Sequence, residues 1–157
     1  MNLINNTIKT TRRIMNGLRP EQLELLGFVE TARLHVAEFQ ERHKLICNFE
    51  TTINKLKVDP QHEVALFRIL QEALTNITRH AKASEVKVKL TTKTNLLILE
   101  IIDNGVGIDT NYKGRDDSYG MIGMKERVYL LGAELFIKGE PGKGTIIRVE
   151  MPLLINI

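Results

Sequence analysis

Apolar residues along the chain change their spacing several times, and each change marks a predicted element. Leu3, Ile4, Ile8, Ile14, Met15 and Leu18 follow a helical rhythm among Asn, Thr, Lys and Arg without a full core-facing stripe. A helix of that kind needs a partner surface. Gly17 and Pro20 interrupt it, and Pro20, followed by Glu21 and Glu24, suits the first turn of a new helix. From Leu23 to His43 the apolar positions Leu25, Leu26, Phe28, Val29, Ala32, Leu34, Val36 and Phe39 predict one or two helices with a break near Gly27. The period then drops to 2, because Leu45, Cys47, Phe49, Thr51 and Ile53 alternate with Ile46, Asn48, Glu50 and Thr52 in a strand pattern.

Asp59-Pro60 is a helix start, with Asp able to cap and Pro at the first helical position, and the pattern runs to about Ala83. Val86, Val88 and Leu90 alternate with Lys87 and Lys89, and Leu96 to Ile102 is nearly all apolar. These are two adjacent strands joined around Lys93-Thr94-Asn95, the second ending at Asp103. Residues 104–119 carry Gly105, Gly107, Gly114 and many polar residues, a length and composition suited to a mobile lid. A helix over 120–131, a strand over 133–138, a turn over 139–144 and a strand over 145–151 complete the chain. No internal repeat or low-complexity tract interrupts this order.

With 157 residues there is room for one core and little for a second. Hydrophobic residues at 43% and charged residues at 26% are ordinary for a folded soluble domain and exclude a disordered or fibrous chain. The 22 Lys+Arg and 19 Asp+Glu leave a net charge of only +3, with the basic residues scattered. Aromatics are 5% and do not interleave with basic residues, so no nucleic-acid partner is expected, and an anionic small ligand suits the charge equally well. Cys47 is the single cysteine, and four spread histidines give no zinc spacing, so a reducing compartment and no structural metal are expected. No apolar run approaches the ~20 residues of a membrane span, and the start of the chain lacks signal-peptide character.

Candidate chemistry sits in four places. On the 60–83 helix, at about 100° per residue, setting Glu72 at zero places Asn76 near ~40°, Arg79 near ~340° and His80 near ~80°. Leu70, Leu74, Ile77 and Ala81 fall on the opposite side, between about 140° and 200°. The polar front is either a solvated face or part of a site. An Asn at a helix centre and a front not dominated by Lys and Glu speak for a site. In Asp103-Asn104-Gly105-Val106-Gly107 a carboxylate ends a buried strand, where it can accept from a ligand amine, and the glycines let the backbone pass close to a flat ring; a plain glycine-rich turn is the other reading. It is no dinucleotide fingerprint, because the third glycine position holds Thr110. In Gly120-Met121-Ile122-Gly123-Met124-Lys125-Glu126-Arg127 glycines lead into a helix whose free N–H groups suit phosphate oxygens. Gly142-Lys143-Gly144-Thr145 is equally a hairpin turn, and it is no P-loop, since Gly144 follows Lys143.

The order and spacing of these pieces resemble the catalytic, ATP-binding domain of two-component sensor histidine kinases, within the superfamily shared with gyrase, the heat-shock chaperone ATPases and MutL. Residues 67–81 look like the N box, 103–108 like the G1 box, 120–127 like the G2 box and 142–145 like the last box. The wording Gln-Glu-Ala-Leu-Thr-Asn with Arg-His-Ala, and Gly-Met-Lys-Glu-Arg, is most similar to the nitrate-, cell-envelope- and membrane-fluidity-sensing subfamily. The resemblance covers about Leu18 to Pro152. It implies an α/β (α+β) two-layer sandwich of the Bergerat type, a mixed sheet with helices packed on one face.

It also implies roles. Asp103 should accept the adenine amino proton with Thr145 in support, and Gly105 and Gly107 should shape the purine pocket. Asn76 should ligate Mg²⁺, Arg79 should approach phosphate, and His80 should lie against the nucleoside rather than act as phosphoacceptor. Backbone N–H groups around Gly120, Met121, Gly123 and Met124 should hold phosphates as a lid over 109–119 closes. Glu72 is the candidate catalytic residue, with base and structural roles both open. ATP and Mg²⁺ are the expected ligands.

One departure stands out: the family's phosphoacceptor histidine, in its acidic and basic context, is absent from this chain. Residues 1–19 resemble the later half of the second dimerisation helix, leaving 20–157 as the catalytic domain, while His35, His43 and His62 read as surface or packing residues. The expected partners are ATP, the phosphoacceptor hairpin of the same kinase and a response-regulator receiver domain. The parent is expected to dimerise and this piece, without the hairpin, to be monomeric and unable to phosphorylate itself. The expected location is cytoplasmic, either free or as the cytosolic part of a membrane-bound sensor. Two other readings use the same fold: an anti-sigma serine kinase, and a non-catalytic nucleotide-binding module that signals by conformation.

Overall fold

The computed structural model describes residues 21–108 and 119–153. The predicted helix before Pro20, the 1–19 hairpin segment and all of the predicted lid over 109–119 but Tyr119, which begins a helix, lie outside the described residues. In chain order the elements are α1 (Glu21–His43), β1 (Ile46–Thr51), α2 (Pro60–Asn76) with a π-helical turn (Ile77–Ala81), β2 (Glu85–Lys93), β3 (Leu96–Asp103), α3 (Tyr119–Leu130), β4 (Glu134–Glu140) and β5 (Gly144–Pro152). Within the described residues the predicted strands and helices appear where the periodicity put them, with ends shifted by one or two residues except at the end of α2.

The five strands form one sheet in the order β1-β2-β3-β5-β4, parallel between β1 and β2 and antiparallel elsewhere. The parallel pair needs a crossover, and α2 supplies it. Strand alternation puts Val86, Val88 and Leu90, Leu97, Leu99 and Ile101, and Ile147, Val149 and Met151 on one buried face. Against it pack Phe28, Ala32 and Val36 of α1, Leu66, Leu70 and Leu74 of α2, and Met124 and Val128 of α3, in one continuous core. The other face carries a charged rung running Glu50, Lys89, Glu100 and Arg148 across four strands. Arg148 reaches both Glu100, at 3.4 Å, and Glu150. These half-exposed pairs contribute little to stability but keep that face wet. The result is the two-layer mixed-sheet sandwich expected, with helices on one face.

Two helix boundaries decide how the layers meet. Asp59 caps α2 by accepting the Gln61 N–H at 2.8 Å, and Pro60 follows at the first position. In α1 the predicted break is at Gly27, whose φ of 74° and ψ of 174° leave the helix and suit a residue without Cβ. The helix resumes at Phe28, and its N–H points at Glu63 Oε1 of α2, 3.4 Å away. Glu63 is 7% exposed. A carboxylate from the first turn of one helix therefore caps the restart of another, and its charge favours the positive end of that helix.

The helix expected to run to Ala83 departs from α geometry after Asn76. It widens into the π turn, and Lys82, at φ 49°, ends it in the left-handed region. Thr75 Oγ1 donates to the Gln71 carbonyl and Thr78 Oγ1 to the Thr75 carbonyl, each at 2.8 Å, bonds that compete with the α-helical ladder.

Removing the shared cap tests this account. Glu63→Ala should cost about 1–2 kcal/mol in urea unfolding, whereas Glu41→Ala, on the exposed side of α1, should stay within about 0.5 kcal/mol. Equal small losses would show that Glu63 does not cap α1.

Candidate functional site

The rungs of the sheet run across all five strands. Phe49, Val88, Ile101, Ile147 and Ile137 form one, and Cys47, Val86, Asp103, Thr145 and Gly139 form the rung at its edge. In this last rung the core face places a carboxylate and a hydroxyl where aliphatic side chains would continue the pattern. Asp103 is 7% and Thr145 5% exposed. Gly105 N–H donates to Asp103 Oδ1 at 2.8 Å, and the Thr145 N–H and hydroxyl also donate to this carboxylate. Burial pushes the Asp103 carboxyl above the usual carboxylate range, outweighing these hydrogen bonds, which pull the other way. A carboxylate has about four lone-pair sites, so acceptor capacity is left for a donor from outside the protein.

The loop after β3 is clamped from three sides. Asn104 Oδ1 accepts the N–H groups of Ser84 and Glu85, each at 3.0 Å. Val106 N–H donates to the Ala81 carbonyl at 2.7 Å, and Gly142 N–H to the Val106 carbonyl at 2.7 Å. The glycines serve this close packing: a Cβ on Gly105 would overlap the Ala81 carbonyl, and one on Gly107 would overlap the carbonyl of Glu140. Gly107 also has φ 76°. The reason inferred from sequence, room for a flat ring, is joined by one that involves only protein backbone. The Gly142-Lys143-Gly144 segment is the β4–β5 hairpin turn, and Thr145 reaches the site because β5 pairs with β3.

The end of α2 forms a second wall. Leu70, Leu74, Ile77 and Ala81 are buried, as the helical projection predicted. Glu72 and Asn76, one turn apart, are half-buried, and their side chains make no hydrogen bond or ion pair with another described residue. Arg79 and His80 follow in the π turn, exposed and likewise without such partners, so an α-helical projection does not give their direction. π turns recur at functional sites.

The first turn of α3 closes against α2. A Cβ on Gly120 would overlap the Glu72 carboxylate, so the missing side chain sets how near the two helices come. Met121 and Gly123 are half-buried, and Met124 is fully buried in the core. The first four N–H groups of a helix lack an intrahelical partner; in α3 these belong to Tyr119, Gly120, Met121 and Ile122, whereas those of Gly123 and Met124 lie within the helical ladder. Sequence reasoning missed Asn104, Gly139 and Gly144. A Cβ on Gly144 would overlap the Asp103 carbonyl, and one on Gly139 would lie 2.6 Å from the Ile108 carbonyl oxygen. Their signal was the pair of glycines flanking the last turn.

Residues 61–155 match the profile of the histidine kinase-, DNA gyrase B- and HSP90-like ATPases. Among curated proteins the chain is 38% identical over 152 residues to the signal transduction histidine-protein kinase/phosphatase DegS of Brevibacillus brevis, covering 96% of this chain and 39% of that protein. It is 37% identical over 142 residues to the sensor histidine kinase LiaS of Bacillus subtilis, covering 90% and 39%. The chain thus spans about two fifths of the length of these relatives. The histidine kinase domain of the Erythrobacter litoralis blue-light activated histidine kinase superposes with a TM-score of 0.75 at 17% identity, covering 93% of this chain and 81% of that one, a likeness of fold. With the matched profile spanning α2 to β5 and every element of the site described above, the chain belongs to the family of histidine kinase-, DNA gyrase B- and HSP90-like ATPases.

Proposed function

We propose that this chain is the ATP-binding catalytic part of a sensor histidine kinase, which moves the γ-phosphoryl group of ATP to a histidine on a dimerisation helix. A response-regulator aspartate would then receive it. The observation that carries this reading is Asp103, a buried carboxylate with acceptor capacity to spare at the mouth of a glycine-shaped loop. An adenine amino group is the donor it suits. Relatives named as histidine kinases, at 37–38% identity over most of the chain, support histidine over serine as acceptor.

In this reading Thr145 and the Gly105 N–H hold the Asp103 carboxylate in place for the adenine amine. Gly105 and Gly107 keep the loop backbone flat beside the purine, and His80 lies along the nucleoside at the rim. The N–H groups of Gly120 and Met121, with the α3 dipole behind them, receive phosphate oxygens, while Gly123 and Met124 set the approach of that helix. Arg79 reaches for phosphate from the exposed side. The donor set fits Mg²⁺: Asn76 is half-buried and its amide oxygen unpartnered, and among the described residues no three His, Cys, Asp or Glu side chains converge into a protein cage. Held by Asn76, Mg²⁺ would supply neutralisation of the phosphate charge. Glu72 orients the acceptor imidazole. As the N–P bond forms and the bond from the γ-phosphorus to the bridging oxygen breaks, ADP leaves and Glu72 takes the imidazole proton. Such transfer depends chiefly on position and charge neutralisation.

The acceptor hairpin and the regulator are partners of the whole kinase, which dimerises in this reading. Among the described residues no helix is long and apolar enough to cross a membrane; a cytoplasmic setting is part of the proposal.

Three outcomes test it. Asp103→Ala should weaken calorimetric binding of a non-hydrolysable ATP analogue by about 1–3 kcal/mol, and unchanged affinity would refute the adenine contact. Because burial raises the Asp103 carboxyl above its ordinary 3.8, the folded state carries the cost of the charge at neutral pH and sheds it as the pH falls toward 3.8. Stability of Asp103→Asn relative to wild type should therefore rise between about pH 4 and about pH 7 in urea unfolding; a flat difference would contradict the desolvation. Asn76→Ala should weaken binding in Mg²⁺ more than in chelator, and equal losses would remove Asn76 from the metal.

A further inference from the structure

Arg127 is a charged side chain near the site for which neither the family match nor the roles above give a function. By position it lies in the last turn of α3, where a cation would be favoured by the carbonyl end of the helix. Its guanidinium lies one turn back instead. A Cβ on Gly123 would stand 2.8 Å from Arg127 Nη1 and 3.8 Å from Cζ, so the guanidinium fills the space that this glycine leaves. Helical side chains lean toward the N-terminus, and the missing Cβ lets this one lie along the helix. Glycine inside a helix destabilises it relative to alanine. α3 contains two: Gly120 makes room for the Glu72 carboxylate and Gly123 for the Arg127 guanidinium.

The guanidinium is thereby displaced toward the positive end of its own helix. It is half-buried and has no ion pair or hydrogen bond with another described residue, Glu72 included. Arg148, on the open sheet face, by contrast engages both Glu100 and Glu150. The Glu72 carboxylate at Gly120 offsets the dipole of α3 but makes no ion pair with Arg127, so the guanidinium is left to meet an anion, and its planar fork matches phosphate with two parallel bonds.

We infer that Arg127 is a specificity-determining residue that reads the terminal phosphate of a bound nucleoside triphosphate, and so separates ATP from ADP. This rests on the nucleotide-binding reading above. The test is calorimetry on the whole chain with a non-hydrolysable ATP analogue, ADP and AMP. Arg127→Met should lose about tenfold or more of the preference for the triphosphate over ADP, with AMP affinity unchanged, and Arg127→Lys should restore part of it. Gly123→Ala, a favourable change for the helix itself, should reproduce the loss by displacing the guanidinium. If Arg127→Met weakens all three ligands alike, or leaves the ratio intact, the inference is overturned while nucleotide binding stands. A wild-type chain that binds none of the three overturns both.

Discussion

A carboxylate ending the central strand of the sheet fixes the arrangement of everything around it. Asp103 occupies a core-facing position of β3, in register with Val86 on one side and Thr145 on the other. A buried charge there is costly unless donors surround it. The donors come from the loop that follows and from β5, which lies more than forty residues downstream. The pairing of β3 with β5, and not with β4, is what brings Thr145 within reach. The loop can supply Gly105 N–H only because Ala81, at the end of the π turn, and Gly142, in the hairpin turn, hold it by backbone hydrogen bonds. One rung of the sheet thus ties together the ends of α2, β3 and the β4–β5 hairpin.

The same helix serves core and site. Leu66, Leu70 and Leu74 pack one side of α2 against the sheet, and this sets where the helix backbone carries Glu72 and Asn76 relative to Asp103. Their side chains end without partners among the described residues. A sequence selected for stability alone would pair such groups or replace them; leaving them open is a cost that belongs to function. At its other end α2 contributes Glu63 to the restart of α1, so the helix that carries the proposed metal ligand also sets the direction of the first helix of the described fold.

Much of this was legible in the sequence because burial obeys two periods. Val86, Val88 and Leu90 alternate with lysines, and in β2 they are the buried residues. Leu70, Leu74, Ile77 and Ala81 share one side of the helical projection, and all four are buried. Gly27 was readable as a break because its position interrupts an apolar stripe. The change to π geometry after Asn76 was not readable, since it depends on hydroxyl-to-carbonyl bonds that a helical projection ignores. The tertiary reasons for Gly105, Gly107, Gly139 and Gly144 were hidden too, because each avoids a carbonyl from a distant segment. Met124 reads as one more residue of a glycine-rich helix start, yet packing carries it into the core. Arg127 belongs to the Gly-Met-Lys-Glu-Arg wording, but that its guanidinium fills the space above Gly123 is visible only in the structure.

Under the proposed function the two ends of the nucleotide meet different physics. The adenine end is complete in the free protein: a buried carboxylate, held by donors from two segments, beside a loop clamped on three sides. Binding there reorganises little, which preserves the affinity that a flexible loop would spend on ordering. The phosphate end is incomplete by design, with a helix dipole and a guanidinium of the same sign close together and an unpaired carboxylate and amide opposite. Those charges are balanced only when a polyanion and its metal lie between α2 and α3. Affinity is therefore anchored by the base, while the response to the number of phosphates is concentrated where the protein's own electrostatics are least satisfied.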